Sequence, residues 1–278
     1  MTSLALAADP FAALVADLDQ VIGHVAAHQP RSLQRRLGPS EIGCPCHRRI
    51  GYKLAGVPPC HHSMKWEAYI GTAFHAQIAK DLEAILAPDG WPRFLVEQKV
   101  HVGQIAGEDI DGTSDVYDRV SGYVIDWKLV GKTSLARYRA RGPGAQYQVQ
   151  VHTYGRGWRL RGFPVNGVAI AFLPRSERFE RRHFWGEPYD EHIAVQALAQ
   201  VDAIDAAIKA AGVQALPLLS TANAGCHHCD WFRPGSRDVT RGCPGELALP
   251  HPTQSLIELI APKEGPWPCP PSPTPTTS

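Results

Sequence analysis

The chain has 278 residues, 44% of them hydrophobic and 20% charged, with 28 basic against 27 acidic side chains. Folding at this length buries about three quarters of the surface the unfolded chain exposes. The near-neutral balance excludes both an acidic disordered chain and a polybasic nucleic-acid coat, so a polyanionic partner would have to be met by positive charge gathered on one face. Residues 11–25 carry Phe11, Leu14, Val15, Leu18, Val21, Ile22 and Val25 at intervals of three and four, the stripe of an amphipathic helix. No apolar run approaches the roughly 20 residues of a membrane span. The start, Met1 to Ala8, lacks a basic flank and reads as no signal peptide, so a cytoplasmic protein is expected. Seven cysteines, an odd and sparse set, point to a reducing compartment with thiols kept for something other than cross-linking.

A polar stretch over 31–40 leads to Cys46-His47-Arg48-Arg49-Ile50-Gly51-Tyr52, read as a short helix. A second long helix is predicted over 65–87, with Ile70, Phe74, Ile78, Leu82 and Ile85 on its buried side. The period then changes to alternation, and 95–102, 109–117 and 123–130 read as strands of a three-stranded meander. Arg137, Arg139 and Arg141 read as a basic loop able to neutralise phosphates, or simply to sit in solvent. Residues 145–160 return to helix, 168–173 form a buried strand with 179–185 beside it, and 189–211 form a helix stopped by Gly212. The Pro-rich stretch 261–278, which holds Cys269, cannot build a core. The organisation expected is an N-terminal helical extension (1–39), a core (40–185), a helix with a Cys-rich segment (186–250) and a disordered tail (251–278).

Period two puts Asp126 and Lys128 on one face of the third strand and Ile125, Trp127 and Leu129 on the other. Alone, Asp-x-Lys is ordinarily a solvated ion pair. The preceding strand, however, carries Asp111-Gly112-Thr113-Ser114-Asp115, and hairpin pairing would bring Asp115 and Asp126 close enough to share a divalent cation. Two such carboxylates repel unless a positive charge lies between them, and oxygen ligands suit Mg²⁺ or Mn²⁺. Lys128 beside the cation could position or deprotonate an attacking water. His75 lies one step from the stripe of its helix. Gln146, Gln150 and Tyr154, spaced by four, share one face of theirs. Glu97, on the first strand, has possible access to the same edge.

The ordered set Gly71-x-x-x-His75, Gly112-x-x-Asp115, Asp126-x-Lys128 and Gln150-x-x-x-Tyr154 resembles the RecB-type branch of the PD-(D/E)XK nuclease superfamily. The resemblance implies an α/β, restriction-endonuclease-like αβββαβ core, with an N-terminal helix and a C-terminal Cys-rich clasp added here. It also implies hydrolysis of DNA phosphodiesters with Mg²⁺ or Mn²⁺, as an exonuclease acting on DNA ends or single strands. Carried over, His75, Asp115, Asp126 and the Trp127 carbonyl hold metal, Lys128 serves the water, and Gln150 and Tyr154 orient Lys128 and the substrate.

Cys226-His227-His228-Cys229 with Cys243 supplies three soft ligands and needs a fourth. The motif begun by Cys46 looks like that of the iron-sulfur exonucleases, including CRISPR-associated and phage-encoded relatives, in which one cysteine before the core and three after it bind a 4Fe-4S cluster. The spacing to Tyr52 favours Cys46 over Cys44. Zinc is the competing metal for the same thiols. If the chain is phage-encoded, the host cytoplasm is its compartment, with recombination or replication proteins as partners. The alternative from another class is an inactive or zinc-stabilised nucleic-acid-binding module of a recombination complex. Gly131-Lys132-Thr133-Ser134 imitates a phosphate-binding loop, but the required upstream glycine is Asp126.

Overall fold

The structure, a computed structural model, describes residues 10–27, 37–61, 66–222 and 225–245. The chain's first residues, most of the 31–40 stretch and the Pro-rich tail with Cys269 lie outside this set. The elements are α1 (Pro10–Ala27), α2 (Pro39–Ile42), α3 (His47–Leu54), α4 (Trp66–Glu83), β1 (Phe94–Ile105), β2 (Glu108–Asp118), β3 (Tyr123–Val130), α5 (Lys132–Arg141), α6 (Ala145–Leu160), β4 (Gly167–Pro174), β5 (His183–Pro188) and α7 (Glu191–Ala211). Short 3₁₀ turns lie at Phe179–Arg181, Gly212–Leu218 and Cys226–His228. The fold is mixed α/β, a five-stranded sheet in sequential order with helices on both faces.

β1, β2 and β3 form an antiparallel meander. The β1–β2 hairpin turns on Ala106 and Gly107, with φ of 57° and 81°, the backbone that a two-residue turn needs to match strand twist. The chain then crosses through α5 and α6 to β4, parallel to β3, and β5 closes the edge antiparallel. Alternation along the strands decides what each face meets. Ile125 and Trp127 pack with Val96, Val116 and Ala79 of α4. The opposite face belongs to the main core, in which Trp158 and Val151 of α6, Tyr52 of α3 and Val201 of α7 are fully buried.

Three expectations are corrected. α4 ends at Glu83, after which Ala87 N–H donates to Trp91 O and Leu86 bridges Pro92. Its stripe is half-buried at Ile70, Phe74, Ile78 and Leu82 and exposed at Ile85, so the helix covers the sheet loosely. The basic loop is the helix α5, because Leu135 and Tyr138 give it an apolar side whose Tyr138 ring stacks on Phe172. The stripe of α1 forms as a helix face but is exposed, Leu18 at 50% and Val21 at 58%. Among the described residues, no helix is long and apolar enough to cross a membrane.

Candidate active site

β3 pairs with β4 along all eight of its residues, but with β2 only from Val116↔Ile125 to Asp118↔Tyr123. Beyond that point the two strands part and a fork opens at the C-terminal end of β3. Trp127 N–H lies just past the last rung, and it donates to the Asp115 carboxylate at 2.8 Å. One acid is thus fixed by the backbone of the strand that bears the other. The ring of Tyr154 and Pro39 close over Gly112 so tightly that a Cβ there would lie 2.5 Å from Pro39 and 3.0 Å from Tyr154. The motif glycine is therefore a packing requirement.

α4 and β1 supply one wall of the fork. His75 Nδ1 stands 3.4 Å from Asp115 and 3.5 Å from Glu97. Glu97 has φ of +49° within a strand, a left-handed conformation costly for a side chain with Cβ. His75, Glu97 and Asp115 each offer a ligand atom within 4.8 Å of the others. Burial opposes the imidazolium, but hydrogen bonds and charge from Asp115 and Glu97 outweigh it and push the His75 pKa up to about 10. The two carboxylates thus favour a positive charge beside them.

α6 supplies the other wall. Asp126, 1% exposed, lies with Oδ2 2.7 Å from Lys128 Nζ. Gln150 bridges the pair: its Nε2 donates to Asp126 Oδ1 at 2.8 Å, and its Oε1 accepts from Lys128 Nζ at 3.2 Å. Asp126 Oδ2 is buried, and the Lys128 ammonium at 2.7 Å is its ionic partner. Desolvation raises the Asp126 pKa and Asp115 adds to the rise, more than Lys128 offsets. A buried carboxylate beside a second acid, with oxygen donors on both, is a fit for a hard cation.

Tyr147 completes this wall, its ring 4.8 Å from Lys128 Nζ, and sequence reading overlooked it. Its position three residues before Gln150 was the available signal, because i and i+3 share a helix face.

The other sequence candidates stand elsewhere. Tyr154 is buried against Gly112. Gln146 donates to Ser40 O at 2.7 Å. Arg137 lies over the Tyr138 ring on the surface. Arg48, 5% exposed, donates to the carbonyls of Leu216, Pro217, Leu219 and Gly245 and reaches Cys243 Sγ at 3.9 Å. It is a clamp on the Cys-rich segment.

That segment helps to line a cavity. Cys44, Cys46, Cys226, Cys229 and Cys243 line one cavity of about 40 Å³, with Arg49, Tyr52 and Gln146. Burial pushes the Cys44 and Cys229 thiols up. Cys60 stands outside this lining, its thiol donating to Arg241 O at 3.1 Å. Thiols from both ends of the core on one cavity fit a soft metal centre by donor chemistry, and both Cys44 and Cys46 are within the set.

Comparison with solved structures finds distant likeness. An alkaline exonuclease from Laribacter hongkongensis is 11% identical, with a TM-score of 0.45 over 63% of this chain and 89% of that one. A phage-related exonuclease from Haemophilus somnus is 12% identical, with a TM-score of 0.38 over 60% and 78%. A putative exonuclease from Eubacterium rectale is 13% identical, with a TM-score of 0.40 over 84% and 97%. No family model matches the chain, and no curated protein does.

Proposed function

We propose that the chain is a divalent-metal-dependent deoxyribonuclease of the exonuclease type, acting on DNA ends or single strands. The observation that carries this reading is the fork between β2 and β3, where Asp115, the buried Asp126 and Lys128 converge. Asp115, Asp126 and His75, with the Trp127 carbonyl and Glu97, would hold Mg²⁺ or Mn²⁺. When bound, the cation supplies Lewis-acid charge for the phosphate. Lys128, held by Asp126 and Gln150, orients the attacking water and balances developing negative charge. Gln150 keeps acid and amine in register, and the Tyr147 ring limits where the ammonium can stand.

The cysteine cavity is read as the seat of a 4Fe-4S cluster held by Cys46, Cys226, Cys229 and Cys243, a staple between the two ends of the core with no part in the chemistry. What supports the staple reading is the position of these thiols on residues before β1 and after α7.

The test is anaerobic purification with iron, sulfide and zinc analysis, followed by degradation of labelled DNA bearing 5′ ends, 3′ ends or none. Mg²⁺- or Mn²⁺-dependent loss of DNA from its ends is expected, abolished in folded Asp126→Ala and Lys128→Ala proteins. Degradation that persists in those variants sinks the reading. Zinc in place of iron overturns the cluster assignment alone.

A further inference from the structure

A net charge of +1 conceals a strongly asymmetric surface. α5 carries Lys132, Arg137, Arg139 and Arg141 and no acid. The connection from β4 to β5 carries Arg175, Arg178, Arg181 and Arg182 against Glu177 and Glu180. All eight basic residues are exposed. The two segments are distant in sequence, yet Arg139 Nη2 donates to the carbonyls of Arg181 and Arg182. Arg175 N–H donates to Val130 O at 2.9 Å, which starts the connection at the very end of β3. Among the described residues, Arg175 is the one of the eight with a carboxylate within 4 Å, Glu67 at 3.7 Å. Cations concentrated in this way repel one another until an anion screens them.

The surface is continuous with the fork. Lys128 Nζ sits 4.8 Å from the Tyr147 ring, Tyr147 lies 5.7 Å from Tyr138, and the Arg137 guanidinium lies 4.8 Å over Tyr138. At the far side Phe179 is 60% exposed, with the Arg182 guanidinium 4.5 Å from its ring. A flat, solvent-facing ring set among arginines is what single-stranded nucleic acids bind, phosphates on the cations and a base on the ring. Duplex DNA keeps its bases stacked on each other and has no use for the ring.

We infer that α5 and the β4–β5 connection form the track that holds a single-stranded stretch of DNA next to the fork, with phosphates on Arg178, Arg181 and Arg182 and a base on Phe179. This rests on the nuclease reading for the identity of the polyanion. The experiment uses the full chain, an end-labelled single-stranded oligonucleotide and a hairpin duplex, with binding followed by fluorescence anisotropy in EDTA across a salt series. In the triple variant Arg178→Gln/Arg181→Gln/Arg182→Gln, with an unchanged Tm, single-strand Kd rises at least about tenfold and the log–log salt slope falls by about 2. Phe179→Ala weakens single-strand binding about fivefold or more and leaves duplex binding unchanged. Wild-type Kd and slope in the triple variant, or equal loss for duplex in Phe179→Ala, overturn the inference. Cleavage by the wild type with Mn²⁺ separates the two readings: DNA bound through these residues but never cut defeats the nuclease, whereas cutting with arginine-independent binding defeats the track.

Discussion

Glu97 shares His75 with Asp115 from a backbone φ of +49°. An ordinary β conformation would turn the side chain elsewhere, so the fold stores strain at the carboxylate that faces His75. Glu97→Gly and Glu97→Ala both remove the carboxylate, but only glycine is at ease at that φ. The glycine variant is expected to be the more stable by about 1 kcal/mol in thermal unfolding, while both bind Mn²⁺ more weakly by calorimetry. Gln150→Ala frees the acid and the amine from their shared partner, and nuclease turnover is expected to drop about 10- to 100-fold. Asp118 gives a pH signature. Burial raises its pKa, but the hydrogen bonds of Arg93, Ser121 and the Val120 amide outweigh that and hold it at about 2. A lowered carboxyl pKa contributes stability above the ordinary value near 3.8 that is lost as pH falls toward 2. Arg93→Ala should therefore lower Tm at neutral pH and narrow the gap from wild type as the solution is acidified through that window. The proximity of Asp126 and Lys128 was legible because strand period is fixed at two. The turn of Glu97 was not, because nothing in a glutamate announces a positive φ.

At the scale of elements, β3 and α6 could be read residue by residue, since their periods are clean and glycines flank them, whereas β1 runs on to Ile105 through Gly103, which reads in sequence as the start of a turn. α5 could not, because arginines at alternate positions mask a helix whose apolar side is only Leu135 and Tyr138. Nor could the early parting of β2 and β3, which depends on Trp127 N–H choosing a side chain over a strand. Arg48 was visible as a basic residue but not as a buried clamp, a role set by carbonyls some 170 residues away. Arg48→Ala orphans those carbonyls, and a loss of about 3 kcal/mol or more in denaturant unfolding is expected, with the Cys-rich segment cleaved first in limited proteolysis.

Across the whole molecule, cohesion is unevenly distributed. α6 buries Gln150, Val151, His152, Thr153, Tyr154, Gly155, Gly157 and Trp158, whereas α4 buries Ala79 alone among its described residues. Hydrogen exchange is expected to reach the α4 amides well before those of α6, so the wall bearing His75 opens before the wall bearing Gln150. Equal protection of the two helices would contradict this. The cysteine cavity has a temporal consequence. Its first thiols leave the ribosome nearly 200 residues before Cys243, and at ordinary elongation speeds they wait on the order of 10 s or more for their partners. Through that interval the nascent chain carries thiols that the fold has not yet brought together, exposed to any oxidant or stray metal they meet.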